Sequence, residues 1–169
     1  GARLTGSLSL SARRSIDDQQ WYGNFTDGDV TSYTFARLDQ RTTSAQLRVN
    51  WTFTPRLSFE SYLEPFVSTG AYSDWRRLAD GRARDYDDRF TSYTRDDGLQ
   101  GFSFGQLRTN NVLRWEYRPG SVLFFVFAQG RDASAGVQGT PSIGEGWTTL
   151  ARRRPDNVFL VKASYWFGR

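Results

Sequence analysis

From Arg3 to Arg13 the chain alternates without a break. Leu4, Gly6, Leu8, Leu10 and Ala12 fall on one parity, and Arg3, Thr5, Ser7, Ser9, Ser11 and Arg13 on the other. A helix would scatter these leucines around its axis, whereas a β-strand puts all of them on one face. The pattern recurs. Ala45, Leu47, Val49, Trp51 and Phe53 oppose Ser44, Gln46, Arg48, Asn50 and Thr52, and Leu57, Phe59 and Leu63 resume the apolar parity after Pro55. Leu113, Trp115 and Tyr117 oppose Arg108, Asn110, Arg114 and Glu116, and Phe159, Val161, Ala163, Tyr165 and Phe167 share a parity within Asn157 to Phe167. Val122 to Arg131 is apolar on both parities at first. Gln129 and Arg131 put its odd positions on the polar side, leaving Val122, Phe124, Val126 and Ala128 with the apolar set. The reading is all-β, with about six antiparallel strands.

Composition says what kind of β-protein this is. Hydrophobic residues are only 38% of the 169, yet there are 13 Phe, 8 Tyr and 6 Trp. Mean hydropathy is −0.61, and no run approaches the roughly 18 apolar residues of a membrane helix. A transmembrane barrel reconciles a polar average with many aromatics, because its lipid-facing residues alternate with polar interior ones. Each segment also approaches the roughly 9–11 residues that a tilted membrane strand needs. The expectation is therefore a segment of an outer-membrane β-barrel.

The connections alternate in kind. Tight turns are read at 54–56 and 118–121, and long polar connections at 15–41, 70–105 and 132–155. Short turns on one rim and long loops on the other are the habit of outer-membrane barrels. Trp51-x-Phe53 and Trp115-x-Tyr117 run into the tight turns, and Tyr165-x-Phe167 runs into the end of the chain. With strands alternating up and down, the three pairs meet at one rim as an aromatic girdle. This orientation places the long loops outside the cell and the C-terminus in the periplasm. Six strands fall short of the eight in the smallest common barrels. Upstream strands, since Gly1 opens directly in strand-like sequence, or another chain are expected to complete the wall. The remaining expected partners are outer-membrane lipid, the barrel-assembly machinery and glycans.

Two stretches carry a family resemblance. The ending Asn157 to Phe167, finishing Tyr165-x-Phe167, resembles the terminal strand by which outer-membrane barrels are recognised for assembly, with Lys162 where Gly is frequent. Val112-Leu113-Arg114-Trp115-Glu116-Tyr117-Arg118-Pro119-Gly120-Ser121, followed by Leu123-Phe124, Gln129-Gly130-Arg131 and Asn157 to Lys162, is similar to large outer-membrane proteins in which a family-9-like carbohydrate-binding domain precedes a C-terminal β-barrel. The similarity covers roughly the last third of the chain. It implies a barrel at the cell surface, with the sugar-binding-like domain upstream, and supplies no catalytic residues.

Several side chains are candidates for function. Arg48, Glu60, Glu64, Arg108, Arg114, Glu116 and Arg118 take the interior parity. They are either an ion path or, since both signs are present, a cross-strand ladder, and the ladder is the preferred reading. Asp85, Asp87 and Asp88, with Asp96 and Asp97, mark a calcium candidate, and Asp27-Gly28-Asp29 a smaller one. Interleaved Arg82, Arg84, Arg89 and Arg95 favour a self-balanced loop instead. Arg152-Arg153-Arg154 is either a partner for lipid phosphates or a solvated run. Trp21, Tyr22, Phe25, Trp75 and Trp147 either stack on sugars or pack loops together, and packing is preferred.

Other chemistry is narrow. With no Cys and no His, the chain has no disulfide, no thiolate metal site, no histidine ligand and no Ser-His-Asp machinery. No Ser sits in a nucleophile elbow. The expectation is no enzyme and no cofactor. A formal charge of +4, from 22 basic and 18 acidic residues interspersed, gives no nucleic-acid surface. The alternative to the barrel is a soluble β-sandwich that binds carbohydrate through aromatics.

Overall fold

The computed structural model describes residues 2–94 and 100–168. Six long strands and one short one form a single antiparallel sheet: β1 Arg3–Asp27, β2 Val30–Thr54, β3 Leu57–Leu78, β4 Phe90–Ser92, β5 Gly101–Arg118, β6 Ser121–Val137 and β7 Asp156–Ser164. The order is β1-β2-β3-β5-β6-β7, with β4 paired only to the far end of β3. One helix, α1 (Ile143–Arg152), lies between β6 and β7 in sequence. The sheet is not closed: β1 and β7 are its two edges. All described strands lie in one sheet, so the two-sheet sandwich held as the alternative is not the architecture.

The chain reverses between Thr54 and Leu57 and between Arg118 and Ser121. In the second turn Gly120 takes φ +76, a left-handed conformation that a residue with a Cβ adopts at a cost. The connection read at 15–41 is corrected. It is strand on both sides of a short reversal at Gly28, itself at φ +57. The register slips between Asp17 and Gln20 and again between Trp21 and Gly23. Each β-bulge resets which parity faces which side, so a genuine strand shows no continuous period of two. The connection at 70–105 shrinks likewise. Strand continues to Leu78 and resumes at Gly101, and the described residues between them include a 3-10 turn at Asp87–Arg89 and β4. The one at 132–155 consists of the end of β6, a short loop and α1.

The last strand is also shorter than expected. It stops at Ser164, and beyond it Trp166 lies beside the turn at Gly120 and Ser121. The Trp166 amide donates to Ser121 Oγ at 3.1 Å, and a Cβ on Gly120 would lie 3.0 Å from Trp166 Cβ.

Little is buried. The buried hydrophobic residues among those described are Ala36, Leu38, Val67, Ala133 and Leu150. Three of them, Val67, Ala133 and Leu150, are the contact between α1 and the sheet, with Leu107, Ile143 and Trp147 packed around. Soluble domains bury an apolar face against a second layer. Here α1 is the second layer, and it covers one short stretch.

Candidate functional site

Cross-strand register sorts the side chains onto two faces, because directly paired residues point the same way. One row reads Leu8, Leu47, Leu63, Thr109, Gln129 and Asn157 across the sheet. Nearer the tight turns the same face carries Leu4, Trp51, Phe59, Leu113, Phe125 and Val161. This is the apolar face. It is open to the surroundings even away from the edges, with Trp51 at 41% and Trp115 at 45% exposure, and on the edges Leu10 reaches 75% and Phe159 78%.

The register corrects the reading of β6. Phe125 and Phe127 pair with Leu113 and Asn111, and with Val161 and Phe159, so the odd positions join the apolar face. Val122, Phe124, Val126 and Ala128 lie on the reverse, Phe124 opposite Arg114 and Lys162. The polar pair Gln129 and Arg131 misled the parity because β6 passes out of the apolar zone there.

The aromatic pairs are in contact within themselves: Trp51 to Phe53 at 4.3 Å between ring centroids, Trp115 to Tyr117 at 6.2 Å and Tyr165 to Phe167 at 4.5 Å. All stand at the tight-turn end. Arg118 ties the third pair to the turn, its Nη1 donating to Tyr165 Oη at 2.5 Å.

Moving away from the turns, the apolar face ends on β1 to β3 past Ala12, Thr43 and Val67, where its next residues are Arg14, Arg41 and Thr69, and on β5 to β7 it turns polar earlier, at Thr109, Gln129 and Asn157. Arg14 and Asp39 form an ion pair of 2.6 Å there. The hydrogen bond from Arg14, helped by its charge, holds the Asp39 carboxyl below the usual carboxylate range.

α1 sits along this border. It crosses the strands, with Trp147 Nε1 donating to Thr43 Oγ1 on β2 at 2.9 Å and Arg131 Nη1 on β6 donating to the Ala151 carbonyl. Ser142 caps its N-terminus by accepting from the Glu145 amide. Close approach depends on two glycines. A Cβ on Gly146 would lie 2.5 Å from Val67 Cγ1, and one on Gly105 would lie 3.4 Å from Leu150 Cβ.

The reverse face gathers the charged candidates. Arg48, Glu60, Glu64, Arg108 and Arg114 all lie on it, with Glu116 at its turn end. The ladder differs in detail from simple facing pairs. Glu64 stands opposite Arg108 in register, yet Arg108 pairs with Asp132 at 2.8 Å. Glu64 accepts from Tyr62 Oη at 2.5 Å. Arg114 pairs along its own strand with Glu116 at 3.3 Å, and Arg48 lies 5.0 Å over the Tyr62 ring. Arg48, Asn50, Glu60, Tyr62 and Asn110 line a hollow of about 420 Å³ on this face. The Asp132 carboxylate, at the far end, accepts from Gln106 Nε2 at 2.8 Å and from Arg108 Nη2 at 2.8 Å.

Farther from the tight turns this face becomes aromatic. Tyr22 packs edge-on against Tyr72 at 4.9 Å and Trp75 at 4.7 Å, Phe25 stacks on Tyr93 at 6.3 Å, and Tyr72 meets Phe102 at 6.0 Å. Packing is thus what Tyr22, Phe25 and Trp75 do in this fold. Trp21, on β1, donates to Asn24 Oδ1 and stays exposed. The cluster is illegible in the sequence because its members come from β1, β3, β5 and the segment just after β4, and two of them flank bulges.

No three His, Cys, Asp or Glu residues converge to hold a metal among the described residues, which include Asp27, Asp29, Asp85, Asp87 and Asp88. Asp87 and Asp88 open a 3-10 turn, where neighbouring side chains diverge by about a third of a turn. Asp96 and Asp97 lie outside the described residues. No described helix is long and apolar enough to cross a membrane, which says nothing about strands.

Residues 1–168 match the model of DUF5916, described as a domain of unknown function. No curated protein and no solved structure matches the chain. The chain belongs to the DUF5916 family.

Proposed function

We propose that this DUF5916 chain is a section of the wall of a transmembrane β-barrel in a bacterial outer membrane. The observation that carries the reading is the bounded apolar band on one face of a single sheet. From the turn at Leu57 to Val67, where α1 begins to cover the face, is about ten residues, or roughly 33 Å of strand. At the tilt of about 45° usual for such strands this is roughly 23 Å of height, against the roughly 25 Å apolar band of outer-membrane barrels. Aromatic pairs bound the band below, and arginines bound it above.

Lipid is the cover that this face lacks, because nothing in the fold beyond α1 shields it. The polar reverse, with Arg48, Glu60, Glu64, Arg108, Arg114 and Glu116, is then the lumen. The far ends of β1 to β3 rise above the membrane on the cell-surface side, and the C-terminus is periplasmic. The free edges of β1 and β7 take upstream strands or another chain, since unpaired edges are not tolerated in lipid. The role is structural, transport or surface binding rather than catalytic. The similarity to barrels that follow a family-9-like carbohydrate-binding domain supports a surface task involving glycans.

The test is to fractionate cells expressing the full-length protein and wash the membranes with alkaline carbonate. The protein is expected to stay in the outer-membrane fraction and to migrate differently on gels with and without heating. Release by carbonate, with one mobility under both conditions, would overturn the reading.

A further inference from the structure

α1 and the arginines at its C-terminal end have no part in a bare barrel wall. The helix lies on the outward, apolar face, at the row where that face turns polar. Ile143 borders a hollow with Ala12, Arg14, Arg41 and Thr43. Ser142, Glu145 and Thr149 border another with Ser103 and Ala135, on the side away from the tight turns. The helix thus separates the apolar band from the polar strand ends. Its C-terminus is already closed without the guanidiniums of the triplet, by Arg131 on the Ala151 carbonyl and by the Arg153 backbone amide on the Leu150 carbonyl at 3.2 Å. Arg152, Arg153 and Arg154 are all exposed, and Pro155 ends the helical path beside them.

We propose that α1 is an outer-leaflet collar, whose Arg152, Arg153 and Arg154 bind the phosphate groups of phosphorylated outer-leaflet lipid. The inference rests on the barrel reading above, which sets the height of the helix. Charge complementarity selects the occupant. Three consecutive guanidiniums at the top of an apolar band meet headgroup phosphates, and Arg engages phosphate oxygens through paired hydrogen bonds. Arg41, exposed at the other end of the helix, extends the same belt. The acyl chains of such a lipid lie against the band that α1 leaves uncovered.

The experiment folds the full-length protein into phosphatidylcholine vesicles containing diphosphorylated lipid A, and in parallel into vesicles containing its dephosphorylated form. Parent protein, a triple Arg152→Gln, Arg153→Gln, Arg154→Gln variant and a control Arg48→Gln variant on the opposite face are compared. Heat-dependent gel mobility reports the barrel, and lipid retained after detergent extraction reports the collar. The triple variant is expected to keep the parent's mobility while retaining several-fold less diphosphorylated lipid. Parent and Arg48→Gln should retain it equally, and none should retain the dephosphorylated form. Equal retention by the triple variant overturns the collar and leaves the barrel standing. Failure of the parent to insert overturns both. Full release of the lipid by inorganic phosphate at matched concentration would show a free-anion site and overturn the lipid assignment.

Discussion

Val49 and Asn50 are neighbours in sequence and opposites in environment, which makes them a sharp test of the two-faced sheet. Val49 lies on the apolar face between Gly6 and Ser61, and Asn50 on the reverse between Thr5 and Glu60. Val49 is about five residues from the turn at Thr54, or roughly 12 Å above the rim at 3.3 Å per residue and a 45° tilt, the middle of a roughly 25 Å band. Arginine on the lipid face at that depth costs roughly 2–4 kcal/mol. At about 1.4 kcal/mol per tenfold, this is a shift of roughly 30- to 700-fold in the folding equilibrium. Asn50→Arg instead places a guanidinium beside Glu60 in a wet setting, where an exposed pair changes stability by about 0–1 kcal/mol. The assay is the folded fraction of each variant of the full-length protein, read by heat-dependent gel mobility across a urea series in vesicles. Val49→Arg is expected to lose most of its folded band at a urea concentration where Asn50→Arg retains it. If Val49→Arg folds like the parent and Asn50→Arg fails, the faces are reversed, and the girdle argument from Trp51 and Phe53 falls with them.

Three further outcomes are expected. Gly146→Val puts carbon where Val67 Cγ1 stands 2.5 Å from the ideal Cβ position, an overpacking of about 1–3 kcal/mol, and should lift α1 so that helix amides exchange faster while strand amides do not. Asp39 has its folded-state acidity raised by Arg14, so its contribution is present above its ordinary pKa of 3.8 and lost as pH falls below that through the lowered folded value. Amide protection near Arg14 and Asp39 should fall over that acidic window, and Asp39→Asn should show the lower protection at every pH. Arg118→Ala removes both the hydrogen bond to Tyr165 and the cation 5.0 Å over its ring, and should expose the residues after Ser164 to protease while the β5–β6 turn stays intact.

Where alternation is unbroken, the sequence reads plainly. The parities of Arg3 to Arg13 and Thr43 to Phe53 agree with the observed register residue by residue, and the open edges were foreseen from the strand count. Bulges defeat such reading, as between Asp17 and Gln20, because one inserted residue moves every later side chain to the other face. β6 fails for a different reason. Phe124 to Phe127 is apolar on both parities, so its register is set by β5 and β7 rather than by its own pattern. α1 is hidden in the sequence by Gly144, Gly146 and two threonines, poor helix formers, of which Gly146 lets the helix sit close to Val67 and Ser103.

The two faces exchange character at nearly the same level, and this joins the separate observations. On one face Leu63, Pro65 and Val67 give way to Thr69, whereas on the other Glu60, Tyr62 and Glu64 give way to Phe66 and Phe104, 5.5 Å apart, and then to Tyr72 and Phe102. A sheet packed on one side throughout would keep one face apolar along its whole length. On the proposed barrel reading the surroundings would change at that level, from apolar outside and wet inside below it to wet outside and self-packed inside above it, as at a bilayer boundary. Beyond that level the extended ends of β1 and β3 carry a small aromatic core of their own, past Arg14 and Gly70. In the proposed barrel this length would belong to the surface-exposed portion, where the aromatic cluster of Tyr22, Tyr72 and Trp75 would take over from lipid as the partner that holds the strands together.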